Sequence, residues 1–323
     1  MQKVLVTRKT FPEMMEALAK RFEVVDNPTD SPWSPTEIAE RLAGCSGVLS
    51  TVLCKIDAQV FERNPQLKVV SNIAVGFNNI DLAAASKHGV RVTNTPGVLD
   101  DTTADMAFAL LMAGARRVAE ADDYVRRGEW KVAFGMHSFL GADIHHATLG
   151  IIGIGRIGKA IARRASGFDM RVLYSDPYPL PAEEERRLNV QRVERDDLLA
   201  QSDFVALMVP YSPETHHLIG AAQIAKMKPT AILINTARGG VVDDVALVQA
   251  LKERRIAGAA LDVFEDEPRL NQGYLALPNV VLTPHIASGS RATRTKMTET
   301  AIANLTAVLE GRTPPNLVNK ELA

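Results

Sequence analysis

Short apolar runs alternate with amphipathic stretches along the first third of the chain. Runs rich in Val, Ile and Leu occur at residues 3–7, 47–50, 68–71 and 90–93, and segments with helical spacing separate them. Alternating strands and helices are typical of a parallel sheet that carries helices on both faces. The pattern therefore predicts an α/β fold with a doubly wound parallel sheet.

The same alternation restarts after residue 147, which predicts a second sheet of the same class. Its strand-like runs lie at residues 148–152, 171–175, 204–209, 231–235, 258–263 and 280–282. A turn cluster at residues 94–97 marks the first crossing between the two regions. After Asp101 the helical pattern continues through Ala119 and on toward Arg127.

The last helical segment, residues 291–309, is followed by Gly311 and two prolines and by no further strand. Such a helix can pack back on the first sheet, so the first domain is expected to contain both ends of the chain. We therefore predict two Rossmann-like or flavodoxin-like domains, the first formed by residues 1–98 plus 288–323 and the second by residues 99–287.

Composition and charge narrow the function classes. The 323 residues include 37 Lys and Arg against 38 Asp and Glu, so no basic excess favours nucleic-acid binding. The apolar stretch at residues 106–115 is too short to span a bilayer. Cys45 and Cys54 cannot form a disulfide scaffold, and no signal peptide precedes the first strand. A cytoplasmic protein with no membrane or nucleic-acid partner is expected.

A glycine-rich turn carries the most specific local signal. Gly153, Gly155 and Gly158 follow a predicted strand and open a predicted helix, as in dinucleotide-binding folds. The next strand ends before Asp176, a carboxylate suited to the ribose hydroxyls of NAD and repulsive to a 2′-phosphate. This favours NAD(H), although Arg156 in the turn could attract a phosphate, which leaves NADP(H) open.

Three segments after predicted strands of the second sheet carry candidate chemistry: residues 234–240, 261–268 and 282–286. Ligands bind at the carboxyl edge of such sheets, so Arg238, Glu267 and His285 are expected to converge there. Reduction of a 2-keto acid by hydride transfer needs a proton donor, for which His is suited, and a carboxylate neighbour would stabilise the imidazolium. Arg can bind the substrate carboxylate or polarise its carbonyl. Taken singly, each residue more often has a structural role, but the three together behind a nucleotide-binding fold favour catalysis.

The chain resembles the D-isomer-specific 2-hydroxyacid dehydrogenase family along nearly its whole length. The segments that match are residues 75–81, the glycine turn and the three downstream segments. Within the family it is most similar to bacterial glyoxylate/hydroxypyruvate reductases that also act as 2-ketogluconate reductases, on residues 128–130, 143–146, 214–218 and 225–228. The family commonly has Gly-Lys-Thr where this chain has His146-Ala147-Thr148, and we expect only a local change there.

The resemblance implies that residues 1–98 plus 288–323 form the substrate (catalytic) domain and residues 99–287 the NAD(P)-binding domain, with the active-site cleft between them. It also implies roles for individual residues. Arg238 would hold the substrate, His285 would donate the proton and Glu267 would pair with His285; these three form the catalytic set. Val75 and Gly76 would present backbone N–H groups to the substrate carboxylate. The implied cofactor contacts are Thr103, Gly153, Gly155, Arg156, Ile157, Gly158, Ser175, Asp176, Pro177, Thr236, Ala237, Arg238, Asp262, His285 and Ala287, with Asp262 at the nicotinamide amide.

The resemblance also implies a homodimer held by the helix near residues 101–130. Trp130, Phe134 and Phe139 lie in the following loop, and whether a partner's aromatic residue enters the active site stays open. The adjacent residues His145 and His146 are expected in a turn, and no metal site is predicted.

The predicted activity is NAD(P)H-dependent reduction of small 2-keto acids to D-2-hydroxy acids, with glyoxylate, hydroxypyruvate and 2-ketogluconate as leading substrates. Other dehydrogenases of the family, such as those for phosphoglycerate or D-lactate, remain alternatives. An NAD(H)-sensing corepressor-like protein is a rival from another class, but the intact Arg, Glu and His set favours catalysis. Oxidation of formate or phosphite on the same fold is disfavoured by Glu267.

Overall fold

The computed structural model describes residues 1–133 and 135–323, which separate into two compact units. Unit 1 comprises Met1–Leu99 with Gly289–Ala323, and unit 2 comprises Asp100–Ser288. Both boundaries lie one residue later than the predicted ones. Phe134 of the aromatic loop lies outside the described residues.

Unit 1 contains a five-stranded, all-parallel sheet. Its strands are β1 (Lys3–Val6), β2 (Glu23–Val25), β3 (Gly47–Ser50), β4 (Val69–Asn72) and β5 (Arg91–Thr93). The helices of this unit are α1 (Pro12–Ala19), α2 (Pro35–Arg41), α3 (Ala58–Glu62), α4 (Leu82–Lys87) and α12 (Arg291–Leu309). The strand order β2-β1-β3-β4-β5 is that of flavodoxin-like folds.

Alternating side chains of the unit 1 strands fill two separate cores. Leu5 packs in the cluster that contains Ile38 and Val60, whereas Val4 and Val6 belong to the opposite cluster with α12. Ser71 on β4 also donates a 2.8 Å hydrogen bond to the carbonyl oxygen of Ala301 on α12. The last helix therefore packs on the first sheet, as the sequence predicts.

Unit 2 contains a seven-stranded, all-parallel sheet. Its strands are β6 (Thr148–Ile152), β7 (Arg171–Ser175), β8 (Val190–Arg192), β9 (Phe204–Leu207), β10 (Ile232–Asn235), β11 (Gly258–Leu261) and β12 (Val280–Leu282). The order β12-β11-β10-β9-β6-β7-β8 reverses direction at β6, as in the Rossmann fold. That reversal places the topological switch point, where such folds bind ligands, beside the glycine turn.

Helices cover both faces of the unit 2 sheet. They are α5 (Asp100–Ala115), α6 (Val118–Arg126), α7 (Arg156–Ala165), α8 (Ala182–Leu188), α9 (Arg195–Gln201), α10 (Ala221–Ile224) and α11 (Asp244–Lys252). One core contains Ile151 and Leu111, and the other contains Leu233 and Leu247. Among the residues that the structure describes, no helix is long and apolar enough to cross a membrane.

The structure corrects two details of the sequence prediction. The helix expected from Asp101 toward Arg127 is two helices, because Arg117 adopts a left-handed conformation with φ 53° that ends the regular turn of α5. The edge strands β2 and β8 were not predicted. Each has only three residues, and their exposed or half-buried positions weaken the apolar pattern that identifies a strand.

Candidate active site

The three predicted segments of unit 2 follow neighbouring strands. β10, β11 and β12 are adjacent and parallel, so residues after Asn235, Leu261 and Leu282 emerge at one edge of the sheet. This arrangement brings the segments with Arg238, Glu267 and His285 together, as the sequence analysis expects.

Glu267 and His285 form a close ion-pair geometry. The Nδ1 atom of His285 lies 2.6 Å from Oε2 of Glu267, and both side chains are largely buried, with 28% and 19% of their surface exposed. The other oxygen of Glu267 accepts a 2.9 Å hydrogen bond from the backbone N–H of Phe264. The carboxylate is thus held at both oxygens, and Nε2 of His285 is left for another partner.

Asp262 holds the backbone beside His285. Its carboxylate is fully buried and accepts hydrogen bonds from the Thr283 hydroxyl at 2.6 Å and from the N–H groups of Ile286 and Ala287 at 2.8 Å. His285 has φ 52°, and its N–H bonds to the Asp262 carbonyl at 2.9 Å. These bonds fix an unfavourable backbone conformation that aims the imidazole at Glu267.

Arg238 lies on a turn that Asn235 braces. The Asn235 amide accepts from the N–H of Ala237 at 3.0 Å and donates to the carbonyl oxygen of Arg238 at 3.2 Å. Burial lowers the pKa of the Arg238 guanidinium, and the nearby Glu267 carboxylate opposes that shift. A partly desolvated guanidinium binds a carboxylate more strongly than one in water.

Gly239 joins the Arg238 segment to the Glu267 segment. A Cβ atom at this position would overlap the carbonyl oxygen of Phe264, so only glycine allows the two backbones to approach this closely. The Glu267 segment has a second anchor, since the N–H of Glu265 donates to Asp244 at 3.2 Å and Tyr274 donates to the same carboxylate at 2.8 Å. Burial raises the pKa of Asp244, whereas the bonds from Tyr274 and Glu265 lower it.

No sequence motif predicts the supporting roles of these residues. Asp244 and Tyr274 are 30 residues apart and meet only through the tertiary fold. Asp244 begins α11 in a segment with no recognised motif, and nothing around Tyr274 identified it as a partner. Asn235 and Gly239 stood inside a motif that the sequence analysis quoted, but their bracing and close-approach roles were not deduced.

The glycine turn has the geometry that a dinucleotide requires. Gly153 has φ 97°, and a Cβ there would lie 2.8 Å from the Met208 backbone. A Cβ at Gly158 would overlap the Gly153 carbonyl, whereas one at Gly155 would meet no atom within 4 Å. The open space at Gly155 lies at the start of α7, which has no side-chain cap and offers free N–H groups to a phosphate. The turn therefore fits a pyrophosphate.

Asp176 lies beside the glycine turn. Its carboxylate accepts 2.9 Å hydrogen bonds from the N–H groups of Ile154 and Tyr178. Arg156 and Pro177 are exposed, and Ile157 and Ser175 are half-buried around the same strand ends. Of the other predicted cofactor contacts, four are buried in unit 2: Thr103, Thr236, Ala237 and Ala287.

Val75 and Gly76 lie in unit 1, in the loop after β4. Their carbonyl oxygens accept from the Asn94 and Asn72 amides at 2.8 and 2.9 Å. Within the described chain, neither N–H group donates to a protein acceptor. The two N–H groups are thus held in position and available to a ligand.

The adjacent residues His216 and His217 in unit 2 lie near the carboxylate of Glu265. No sequence motif predicts this contact. Ligand atoms of His216, His217 and Glu265 all lie within 4.8 Å of one another, and His217 Nε2 is 3.1 Å from Glu265 Oε2. The two imidazole ring centroids are 3.9 Å apart, with 23° between the ring planes.

Comparison with known proteins gives consistent matches. Residues 108–287 match the family model described as D-isomer specific 2-hydroxyacid dehydrogenase, NAD binding domain. The chain is 51% identical over 322 residues to a glyoxylate reductase from Korarchaeum cryptofilum, with 99% of this chain and 96% of that protein covered. It is also 51% identical over 325 residues to a glyoxylate reductase from Pyrococcus horikoshii, with the same coverage.

A solved structure gives the same result for the fold. The NADPH-dependent glyoxylate/hydroxypyruvate reductase from Sinorhizobium meliloti, solved with NADP and malonate, superposes with a TM-score of 0.87 at 32% identity. The match covers 98% of this chain and 96% of that one. The resemblance inferred from the sequence motifs is confirmed.

Proposed function

We propose that this chain, which belongs to the D-isomer specific 2-hydroxyacid dehydrogenase family and is an NAD(P)-dependent oxidoreductase, reduces glyoxylate and hydroxypyruvate to D-2-hydroxy acids (glyoxylate itself gives achiral glycolate). The observation that carries the proposal is the 2.6 Å Glu267–His285 pair on the same sheet edge as Arg238. The names of similar proteins support glyoxylate and hydroxypyruvate as substrates. 2-Ketogluconate is a further candidate that rests on the sequence motifs alone.

His285 is proposed as the proton donor. When bound, the reduced nicotinamide supplies the hydride that the keto carbon receives. The keto oxygen then gains negative charge, and a proton on Nε2 of His285 would neutralise it as the alcohol forms. Glu267 faces Nδ1, so it would orient the ring and stabilise the imidazolium before the proton leaves.

Arg238, Val75 and Gly76 are proposed to bind the substrate carboxylate. The guanidinium offers paired N–H donors that match a planar carboxylate. The N–H groups of Val75 and Gly76 in unit 1 are neutral donors, and hydrogen bonds from the Asn94 and Asn72 amides to their carbonyl oxygens hold them in position. Donors of these kinds favour a substrate with a carboxylate, such as a 2-keto acid, over a simple aldehyde or ketone.

The remaining predicted cofactor contacts are proposed around the glycine turn and the strand ends, with Asp262 at the nicotinamide amide. NAD(H) is the proposed preferred cofactor, since Asp176 offers a carboxylate to the ribose hydroxyls and would repel a 2′-phosphate. NADP(H) use remains compatible with the fold.

The protein is further proposed to work in the cytoplasm as a homodimer. None of the residues of α6 is buried within the described chain. Among the described residues, six of the 14 exposed large apolar side chains lie between residues 118 and 140: Val118, Val125, Trp130, Val132, Met136 and Leu140. A second copy would remove this apolar surface from water. Light scattering on the purified protein tests the dimer, and a monomeric mass would refute it.

The activity is tested by the loss of reduced-nicotinamide absorbance with NADH and NADPH in parallel. The substrates are glyoxylate, hydroxypyruvate, 2-ketogluconate, pyruvate and phenylpyruvate. Turnover of glyoxylate or hydroxypyruvate is expected, faster with NADH. Arg238→Gln should lower kcat/KM by on the order of 100-fold, mainly through KM. If none of the five substrates is reduced while cofactor binding is intact, the proposed reductase activity is refuted and an NAD(H)-sensing role is favoured.

A further inference from the structure

We propose that Arg192 is a specificity-determining residue that binds the 2′-phosphate of NADP(H), so that the chain accepts both dinucleotides. This rests on the proposed cofactor site and extends it. No sequence motif marks Arg192, which lies on the short edge strand β8.

The topology places Arg192 at the adenosine end of the proposed site. β6, β7 and β8 are consecutive in the sheet, with Ile152 level with Ser175 and Tyr174 level with Arg192. The glycine turn, Asp176 and Arg192 therefore leave three neighbouring strands at the same edge. The Nη2 atom of Arg192 donates a 3.1 Å hydrogen bond to the backbone carbonyl of Asp176.

The Asp176 carboxylate is directed toward the glycine turn. Its two oxygens accept from Ile154 and Tyr178, both at 2.9 Å, so each oxygen already has an N–H partner. Those N–H dipoles offset part of the negative charge. The Arg192 guanidinium donates to the backbone carbonyl of this same Asp176. A negative carboxylate and a positive guanidinium therefore lie close to each other at the end of β7.

Most N–H donors of the Arg192 guanidinium have no acceptor among the described residues. Its side chain is exposed, and within the described residues its one hydrogen bond is to the Asp176 carbonyl, with no carboxylate in ion-pair range. Arg187, which is close in sequence, differs in that it pairs with Glu184. A guanidinium has five N–H donors and binds phosphate in a bidentate manner, which suits an unpaired Arg to this group.

The charges predict dual use rather than strict selection. A 2′-phosphate is repelled by Asp176 and attracted by Arg192, and at an exposed site both effects are screened by salt. Without Arg192, Arg156 of the glycine turn would be the one candidate cation named above to offset the repulsion by Asp176. The Arg192 guanidinium therefore does not reverse the NAD(H) preference proposed from Asp176 but reduces its size.

The test uses adenosine fragments on the full-length protein and so needs no turnover. Calorimetry would measure adenosine 2′,5′-bisphosphate and adenosine 5′-monophosphate binding to wild type, Arg192→Gln and Arg171→Gln. Arg171 is a matched control, because it is an exposed Arg at the opposite end of β7 and bonds to Gln191. Circular dichroism would check that each variant is folded.

Arg192→Gln should weaken the bisphosphate about tenfold, as loss of a charge-assisted contact predicts, and should change monophosphate binding less than about twofold. Arg171→Gln should change neither. Unchanged bisphosphate binding in Arg192→Gln, or equal weakening of both fragments, would overturn the assignment. Wild type that binds the monophosphate alone would overturn it too. If wild type binds neither fragment, the adenosine site itself is wrong, whereas failure to reduce keto acids would leave the fragment result intact.

Discussion

Two His–carboxylate pairs share one short segment of unit 2, and they differ in how firmly they are held. Glu267 lies 2.6 Å from His285, with a backbone N–H on its second oxygen. Glu265 lies 3.1 Å from His217, and both side chains are more than one-third exposed. Similar chemistry two residues apart thus exists in a constrained and in a solvated form.

The difference shows what makes a pair suitable for catalysis. His285 is fixed through Asp262, which holds the backbone on either side of the imidazole. His217 also has a left-handed backbone, and its N–H bonds to the Gly240 carbonyl, but its ring stacks on the exposed His216. Preorganised donors in a partly dry site lower a barrier, whereas an exposed ion pair contributes little.

Replacing each histidine in turn should give the largest difference in kcat between the two pairs. His285→Ala removes the proposed proton donor and should lower kcat by about 10²- to 10⁴-fold, the range for general acid catalysis. His217→Ala should stay within about threefold of wild type, because solvent already screens its pair. Steady-state kinetics with hydroxypyruvate measures both. Equal losses would show that the pairs are functionally alike.

Neutralising each carboxylate in turn should give a smaller difference in kcat between the two pairs. Glu267→Gln can still accept the Phe264 N–H but no longer stabilises an imidazolium, so kcat should fall on the order of 10- to 100-fold with KM nearly unchanged. Glu265→Gln is the matched control. A KM effect in Glu267→Gln without a kcat effect would place this carboxylate in substrate binding instead.

Gly239→Ala should perturb the constrained segment through its backbone. The new Cβ would overlap the Phe264 carbonyl, which belongs to the backbone and cannot rotate away, so the cost should be about 1–3 kcal/mol of unfolding free energy with a loss of activity. Gly167→Ala serves as the control, since a Cβ there meets nothing within 4 Å. Denaturant unfolding measures both variants, and equal stabilities would contradict the close approach.

The smallest effect is expected for the stability of the exposed pair. Breaking the His217–Glu265 contact should lower the free energy of unfolding by about 0.2–1 kcal/mol, the range measured for exposed ion pairs. A double-mutant cycle with His217→Ala and Glu265→Gln isolates the pair's contribution. A larger coupling energy would mean that this segment is held more firmly than its exposure suggests.

Much of the fold could be predicted from apolar periodicity, because fully buried parallel strands such as Phe204–Leu207 are continuous apolar runs. The edge strands β2 and β8 could not, since each has three residues, of which at most one is buried, and each includes a polar residue. The break at Arg117 depends on one left-handed residue, a conformation that the arginine in the sequence does not indicate.

The predicted Glu267–His285 pair is present because both residues follow parallel strands that end at one edge. The network around it could not be predicted. The Asp262 carboxylate accepts three hydrogen bonds from the His285 loop, a role that the expected nicotinamide contact did not suggest. Asp244, Tyr274 and the Gly239 approach depend on how α11 and the loops pack, which local sequence does not encode.

The most direct measurement is the chirality and yield of glycerate formed from hydroxypyruvate and reduced cofactor, for wild type and His285→Ala side by side. Wild type should yield D-glycerate in proportion to the cofactor oxidised, and His285→Ala should yield almost none while still binding cofactor. L-Glycerate, no product from wild type, or equal yields from both proteins would contradict reduction through the Glu267–His285 pair.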